Sequence, residues 1–130
     1  LGDILHCIKN TSDGYDSFGE AYFSFIHKKI IKGWKCHSRM ILNLTVPIGE
    51  VVFYILKNSP IEKNQRGVYI KLGINSYSRL TIPPNHWFAF QGIKKENLVL
   101  NVANIKHNPN ETKSIVTDQL FTKNIKKFLV

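Results

Sequence analysis

The fold of this chain is decided by residues 31–56, which read IKGWKCHSRM ILNLTV PIGE VVFYIL. The first ten of these residues gather three cations, an imidazole, a thiol and an indole around Gly33. Two apolar runs follow, residues 41–46 and 51–56, and a turn at 47–50 separates them. Strand, tight turn and strand predict a β-hairpin. We therefore expect the polar cluster to lie at the mouth of a β-scaffold, where a rigid sheet directs side chains toward a ligand.

The rest of the chain also favours β-structure. Short apolar runs recur at intervals near ten residues with Gly, Pro and Asn between them, a pattern that predicts an all-β sandwich or barrel. Only residues 117–130 are compatible with a short helix, at the C-terminal side. A length of 130 residues predicts a single domain over 1–130. The further predicted strands are residues 21–26, 67–72, 78–82, 87–91 and 97–103.

Composition excludes several classes of protein. A hydrophobic fraction of 43% with 12% aromatic residues is typical of a chain with a packed core and not of a disordered one. No apolar run reaches the roughly 18 residues that cross a bilayer, and the N-terminal residues lack a signal-peptide pattern. Cys7 and Cys36 are too few for a disulfide scaffold. The sequence therefore predicts a cytoplasmic protein with reduced thiols and no membrane association.

The net charge of +9, from 18 basic against 9 acidic residues, indicates an anionic partner. Nucleic acid, a membrane surface and a phosphorylated metabolite are the candidates. The sequence contains no helix-turn-helix, zinc-finger or RNA-binding aromatic signature. We therefore expect no nucleic acid and favour a phosphorylated small molecule.

Two segments resemble the motifs of the cupin family. The glycine framework of the first cupin motif is matched by Gly33, Lys35, His37 and Gly49. Residues 80–90, LTIPPNHWFAF, resemble the second motif in the form found in dTDP-4-dehydrorhamnose 3,5-epimerases, and residues 107–111, HNPNE, resemble the stretch that follows in those enzymes. The resemblance covers residues 31–111. It implies a cupin double-stranded β-helix (jelly roll), a nucleotide-diphosphate sugar as ligand, a role in surface-polysaccharide biosynthesis such as that of lipopolysaccharide, and a homodimer.

The metal-binding positions of cupins are altered in this chain. Metal-binding relatives carry His, His and Glu in the first motif, where this sequence has Lys35, His37 and Leu42, and a second-motif His where it has Phe88. One potential ligand out of four is too few for a divalent ion, which needs about three protein ligands. The resemblance therefore implies a metal-free protein, and we predict no cofactor.

The catalytic positions of the resembling enzymes are also only partly present. The base histidine of the epimerases falls at Lys35, their acid tyrosine at Asn101 and their motif lysine at Leu42. The 3,4-ketoisomerases carry an Arg-Gly-aromatic-His-Ala-His motif that is similar to residues 32–37, where the second histidine is retained as His37. Neither catalytic set is carried over whole.

The residues themselves suggest a proton transfer. Removing a proton next to a ketone needs a base that titrates near neutral pH and a cation or donor for the enolate oxygen. His37 suits the first role, and Lys35, two residues away on the same face of an extended strand, suits the second. A Lys35 desolvated among Trp34, Trp87 and Phe88 would instead serve as the base itself. In the alternative without chemistry, Lys35 and His37 are a solvated pair at a strand edge.

Other side chains are predicted to bind the substrate. Arg39 and Asn43 continue the inward alternation of Lys35 and His37, and such a run of cations predicts a diphosphate ligand. Arg79 is a further candidate, with a surface arginine as the alternative. These positions, together with Asn101, form the predicted binding set on the strands.

Tyr22 is the predicted general acid, since Asn101 cannot donate as a tyrosine does, and the alternative is a half-buried aromatic residue of the sheet. Glu20, on the same strand face, is predicted to pair with Lys35 or Arg39. Trp34 and Trp87 are predicted to stack on a base or sugar ring, and the alternative for both is a place in the core.

Three functions remain open from the sequence. The first is a metal-independent epimerase or isomerase of a nucleotide-linked 4-keto-6-deoxy sugar. The second is a non-catalytic cupin that binds a sugar nucleotide or a polysaccharide precursor. The third is a β-domain recruited by a partner through its charge.

Overall fold

The computed structural model describes residues 2–116, which form two antiparallel β-sheets. The four-stranded sheet has the order β1-β8-β3-β6, and the five-stranded sheet has the order β5-β4-β7-β2-β9. The predicted all-β jelly roll is confirmed, whereas the predicted helix at 117–130 lies outside the described residues. The strands are β1 (Glu20–His27), β2 (Ile31–His37), β3 (Leu42–Ile48), β4 (Glu50–Leu56), β5 (Val68–Gly73), β6 (Leu80–Ile82), β7 (Trp87–Gly92), β8 (Glu96–Ala103) and β9 (Thr112–Ser114), with a 3₁₀ turn at Pro109–Glu111 before β9.

The predicted hairpin between residues 41–46 and 51–56 is wrong. β3 pairs with β6 and β8 in one sheet, and β4 pairs with β5 and β7 in the other. Gly49 has a φ of +80°, as a tight turn requires. A Cβ at this position would lie 2.3 Å from the carbonyl oxygen of Glu96. The chain therefore turns a crowded corner from one sheet to the other at Gly49, instead of folding back on itself.

Alternation along the strands sends side chains either between the sheets or onto an outer face. On β4, Val51 and Phe53 join the main core between the sheets, which also contains Ile26, Leu44 and Val99 from the four-stranded sheet. A second cluster covers the outer face of the five-stranded sheet and contains Trp34, Tyr54, Leu56 and Ala89. Side chains that follow the parity of the main core, and lie beyond its last apolar residues, face the space between the ends of the two sheets, and we call this space the cavity.

The β1–β8 pair defines two ends of the sandwich. Ile26 is opposite Asn97 near one end, and Tyr22 is opposite Asn101 toward the other. We call the first the Asn97 end. We call the second the His37 end, because β2 also finishes there with His37. No helix among the described residues is long and apolar enough to cross a membrane.

Candidate active site

The last residue of β2, His37, is held on the inner face of the five-stranded sheet. Its ring stacks on Phe88 of β7, with centroids 6.0 Å apart and planes at 14°. Its carbonyl oxygen accepts a hydrogen bond of 2.7 Å from the backbone N–H of Asn85, in the turn before β7. Asn85 has a φ of +63°, in the left-handed region that the short polar side chain of Asn tolerates. The two motifs thus meet at His37, which is only 6% exposed.

A buried carboxylate, Glu111, orients the His37 ring. Glu111 is 5% exposed, and its Oε1 is hydrogen-bonded to Nδ1 of His37. Its Oε2 accepts from the backbone N–H groups of Arg39, at 3.1 Å, and Met40, at 3.2 Å. The 3₁₀ turn that carries Glu111 begins at Asn108, whose side chain accepts from the N–H of Asn110. The hydroxyl of Thr112 also donates to Oε1, at 3.2 Å. Four hydrogen bonds therefore fix the carboxylate against the imidazole.

This arrangement sets the tautomer of His37. An ionised carboxylate can only accept hydrogen bonds, so the proton of the neutral ring must be on Nδ1. Nε2 then carries the lone pair. Nε2 has no hydrogen-bond partner among the described residues and is not sealed from solvent. The geometry is that of a base whose orientation and tautomer are fixed by a carboxylate behind it.

The electrostatics of Glu111 agree with this geometry. Burial by itself raises the pKa of Glu111, but the hydrogen bond from His37 and those from the backbone of Arg39 and Met40 lower it by more. The charge of a protonated His37 acts in the same direction. The net pKa lies below the usual value, so Glu111 is ionised at neutral pH and stabilises the imidazolium that forms when His37 takes a proton.

The opposite wall of the cavity carries Tyr22 on β1. Tyr22 has the parity of Ile26, which is in the main core, so it faces inward. Its hydroxyl oxygen accepts a hydrogen bond of 2.9 Å from Nδ2 of Asn101 on β8. Burial raises the pKa of Tyr22, the Asn101 hydrogen bond lowers it, and the charges of Glu20 and Glu111 raise it, with a net increase. Tyr22 is therefore a protonated phenol at neutral pH.

Lys35 shares the inner face of β2 with His37, because it is paired with Phe88. Its side chain is exposed. The desolvation that would make Lys35 the base is therefore absent, and Trp34 lies on the other side of the sheet. What remains is an accessible cation two residues from His37 on the same wall.

Two predictions for the residues near Lys35 are wrong: that Arg39 continues the inward alternation, and that Glu20 pairs with Lys35 or Arg39. β2 ends at His37 and a bend follows, so Arg39 does not continue the strand alternation. Its exposed side chain lines a surface pocket of about 340 Å³ together with Lys106 and His107. Glu20 makes no ion pair with Lys35 or Arg39 within the described chain, and its carboxylate accepts from the backbone N–H of His107 instead.

Asn43 and Arg79 do not face the cavity. Asn43 is on the outer face of β3, where its amide bonds the carbonyl of Gly14 and the hydroxyl of Thr81. The guanidinium of Arg79 donates to the backbone carbonyls of Cys7, at 3.2 Å, and Asp13, at 2.6 Å. Both side chains thus attach the N-terminal segment to the four-stranded sheet. Their predicted role in substrate binding has no support from this placement.

The two tryptophans also lie away from the cavity. Trp34 is fully buried in the cluster on the outer face of the five-stranded sheet, and Trp87 packs against that same cluster. A bulge between Gly33 and Lys35 accompanies this placement. Stacking of Trp34 on a ligand is therefore excluded by its burial, and the core alternative is the correct one for Trp34.

No group of three or more His, Cys, Asp and Glu side chains arranged to hold a metal ion occurs in residues 2–116. His37 and Glu111 together supply two such side chains, and both are already committed to each other. The expectation of a metal-free protein stays a prediction.

Glu111 is the functional candidate that the sequence reasoning missed. It lies 74 residues from His37, so no local spacing links the two. A signal was present in the HNPNE stretch, because a predicted base histidine needs a carboxylate or carbonyl to fix its tautomer. A chain with only nine acidic residues offers few candidates for that role.

The jelly roll and its inward-facing histidine are those of a cupin of the sugar-nucleotide isomerase class, as comparison with a solved structure shows. The chain is similar to a dTDP-sugar isomerase from Desulfovibrio desulfuricans, with 30% identity and a TM-score of 0.82 over 91% of this chain and 77% of that one. It belongs to this dTDP-sugar isomerase family. No protein-family model matches the chain, and no curated protein matches it.

Two more distant structures share the fold. A dTDP-6-deoxy-D-glucose-3,5-epimerase from Legionella pneumophila, in complex with dTDP-4-keto-L-rhamnose, is 18% identical with a TM-score of 0.66 over 77% of this chain. A dTDP-4-dehydrorhamnose 3,5-epimerase from Bacillus anthracis, with TDP and pyrophosphate bound, is 12% identical with a TM-score of 0.67 over 77% of this chain. This chain spans 55% and 60% of the lengths of these two epimerases.

Proposed function

We propose that this protein is an isomerase or epimerase of a nucleotide-linked 4-keto-6-deoxy sugar. The observation that carries the proposal is the inward-facing His37, whose Nδ1 is bonded to the buried Glu111 and whose Nε2 is free to accept a proton. Membership of the dTDP-sugar isomerase family supports the class of substrate.

The proposed chemistry uses the two walls of the cavity. Nε2 of His37 removes the proton from the carbon next to the ketone, and the electron pair of that C–H bond moves onto the ketone oxygen to give an enolate. Lys35, an exposed cation on the same wall, stabilises the enolate oxygen. Tyr22, on the opposite wall, donates a proton to carbon from the other side. No step needs a metal ion.

The nucleotide diphosphate is proposed to bind at the His37 end. Arg39, Lys106 and His107 surround one surface pocket there. Arg binds phosphate oxygens bidentately, whereas Lys acts as a point charge. The net charge of +9 supports an anionic ligand.

The proposal is tested by incubating the protein with a dTDP-4-keto-6-deoxy sugar and following the sugar by NMR. Conversion to an epimer or a positional isomer is the expected result, and Lys35→Met should slow it by about 10² to 10³, as for the loss of one oxyanion partner. Lys71→Met is the matched control, since Lys71 is an exposed lysine on β5 with a single weak ion pair to Glu50. Tight binding of the nucleotide sugar without conversion would establish the non-catalytic cupin instead.

We also propose a homodimer formed through the outer face of β1. Phe23 and Phe25 point away from the core on this edge strand and are 60% and 72% exposed. An edge strand with exposed aromatic side chains is commonly covered by a second subunit. Light scattering should give a dimer that Phe23→Ser with Phe25→Ser converts to a monomer, while Ile61→Ser, at a loop residue 67% exposed, has no effect. A wild-type monomer at micromolar concentration would contradict the dimer.

The cellular setting is part of the same proposal. Cys7 and Cys36 are both free thiols, which fits a reducing, cytoplasmic location. Surface-polysaccharide biosynthesis, including that of lipopolysaccharide, is the setting that the family resemblance suggests for such a reaction.

A further inference from the structure

The side chain of Asn101 has a fixed orientation. It is 2% exposed, its Oδ1 accepts a hydrogen bond of 3.0 Å from the backbone N–H of Asn43, and its Nδ2 lies 2.9 Å from the hydroxyl oxygen of Tyr22. A backbone N–H can only donate, so the atom that faces Asn43 must be the amide oxygen. The amide nitrogen is therefore the atom that faces Tyr22.

This orientation determines the direction of the Tyr22 proton. An amide nitrogen can only donate, so the hydroxyl oxygen of Tyr22 is the acceptor in this contact. The hydrogen of Tyr22 must then point away from Asn101. Among the hydrogen bonds of residues 2–116, Tyr22 makes no second one. Since Tyr22 faces inward and is 37% exposed, its O–H is directed into the cavity.

We propose that Asn101 is a positioning residue that holds Tyr22 as a proton donor toward the bound sugar. The proposal rests on the proposed function above. In the step concerned, the O–H bond of Tyr22 breaks, a C–H bond forms at the enolate carbon and the ketone is restored. The resulting tyrosinate is stabilised by the N–H of Asn101 and regains its proton from water.

Direct contact between Asn101 and the substrate, as the sequence predicts, agrees less well with the structure. The residue is buried, and its two polar atoms are already bonded to Asn43 and Tyr22. Its influence on the reaction therefore passes through Tyr22. The proposed acid, Tyr22, is thus on β1. It lies opposite Asn101, the position on β8 at which the resembling epimerases are expected to carry their tyrosine.

The test reverses the polarity of this hydrogen bond. In Asn101→Asp, one carboxylate oxygen still accepts from Asn43 and the other accepts the proton of Tyr22, which turns the donor away from the cavity. The pKa of Tyr22 is already raised by burial and by the charges of Glu20 and Glu111, and a third carboxylate without the amide donor should raise it further. NMR titration of protein labelled at the tyrosine ζ-carbon measures this pKa, with Tyr22→Phe to assign the resonance. We expect the midpoint of the variant to lie above that of the wild type.

The matched control is Asn104→Asp. Asn104 also accepts a backbone N–H through Oδ1, from Ile41 at 2.7 Å, but its Nδ2 donates to Asp16 and it has no bond to Tyr22. Its substitution should leave the Tyr22 midpoint unchanged. If Asn101→Asp does not fold, Asn101→Leu removes the donor without adding charge and should raise the midpoint by a smaller amount.

The activity readout separates positioning from binding. Asn101→Asp and Tyr22→Phe should both exchange the substrate proton with deuterated solvent at nearly the wild-type rate, with KM little changed, yet invert or isomerise the sugar at least about 10²-fold more slowly. An unmoved Tyr22 midpoint in both Asn101 variants would overturn the proposal, as would a moved midpoint with full reprotonation activity. If the Tyr22 midpoint moves in the Asn101 variants but the wild-type protein never exchanges a sugar proton, the Tyr22 orientation is supported and the proposed function is overturned.

Discussion

Asn97 and Asn101 are four residues apart on β8, are both buried and both face inward, yet they bond to different kinds of group. At the Asn97 end, the amide contacts only backbone: its oxygen accepts from Glu50 and Lys94, and its nitrogen donates to the carbonyls of Ile26 and Lys94. At the His37 end, Asn101 contacts one backbone N–H and the side chain of Tyr22.

The hydrogen bonds at the Asn97 end have a structural role, whereas those at the His37 end orient the two side chains that we propose for proton transfer. At the Asn97 end every polar atom of the amide is satisfied by main chain, so the network can only hold the corner at Gly49 and the turn at 93–96 in place. At the His37 end, the hydrogen bonds of Asn101 and Glu111 lead to Tyr22 and His37, which each keep one atom available toward the cavity. Substitutions at the two ends should therefore affect different quantities.

The largest expected effect is on the dyad at the His37 end. Glu111→Gln places an amide N–H beside Nδ1 of His37, which favours the tautomer with the proton on Nε2 and removes the base. Turnover should fall by about 10³ to 10⁴, as in other enzymes where the carboxylate behind a catalytic histidine becomes an amide. The turnover of His37→Asn should fall by at least as much. Steady-state kinetics and a nucleotide-binding titration check both variants, and a Glu111→Gln enzyme within tenfold of wild type would remove the dyad from the mechanism.

The next effect is on stability at the Asn97 end. Asn97→Ala loses four hydrogen bonds to backbone groups, at about 1 kcal/mol net for each and more where a buried partner is left unpaired, so we expect a loss of about 3 to 5 kcal/mol. Asn101→Leu loses one backbone partner and should cost about 1 to 2 kcal/mol while impairing turnover. Urea unfolding with a parallel activity assay measures both. Equal stability losses at the two positions would break the proposed contrast.

A smaller effect is expected for two arginines that the sequence treats alike. Arg39→Ala should weaken binding of a nucleoside diphosphate more than tenfold, which corresponds to about 1.4 kcal/mol. Arg79→Ala should leave binding unchanged, because its guanidinium is bonded to the N-terminal segment. Calorimetric titration at low and high salt checks this, with the wild-type affinity falling as salt rises. Weakening by Arg79→Ala instead would move the phosphate site to the outer face.

The smallest effect is a pH dependence of stability. The pKa of Glu111 is lower in the folded protein than its ordinary value of 4.5. The stabilisation is therefore complete above that value and is lost as the pH falls through the folded-state pKa. Wild-type protein should lose free energy of unfolding as the pH falls below 4.5, and Glu111→Gln should lose less over the same range. Urea unfolding at a series of pH values measures this. If the free energy of unfolding changes with pH equally in the wild type and in Glu111→Gln, Glu111 contributes nothing to the pH dependence.

Local features of the site were predictable because they depend on backbone chemistry. Asn85, which follows Pro83 and Pro84 in the turn before β7, takes the left-handed conformation that its short polar side chain allows. Lys35 and His37 share a face because they are two residues apart on one strand. Tyr22 faces inward for the same reason, by its parity with Ile26.

Features that depend on long-range pairing were not predictable. A positive φ at Gly49 fits a hairpin turn and a corner between sheets equally well, and only the pairing of β3 with β8 distinguishes them. The chain bends after His37, so the inward alternation that Lys35 and His37 predict does not extend to Arg39 and Asn43. Glu111 meets His37 only after the whole jelly roll has closed. The sequence therefore predicts His37 as the base but does not predict the carboxylate that bonds to it.

The most direct test of the central claim is solvent exchange at the substrate carbon next to the ketone. Wild-type protein is incubated in deuterated water with a dTDP-4-keto-6-deoxy sugar, and the recovered sugar is examined by mass spectrometry and NMR. We expect deuterium at that carbon with wild-type protein, and none above the uncatalysed background with His37→Asn, which keeps hydrogen bonding but cannot take the proton. Tight binding of the sugar nucleotide by the wild type without any deuterium incorporation would contradict the account.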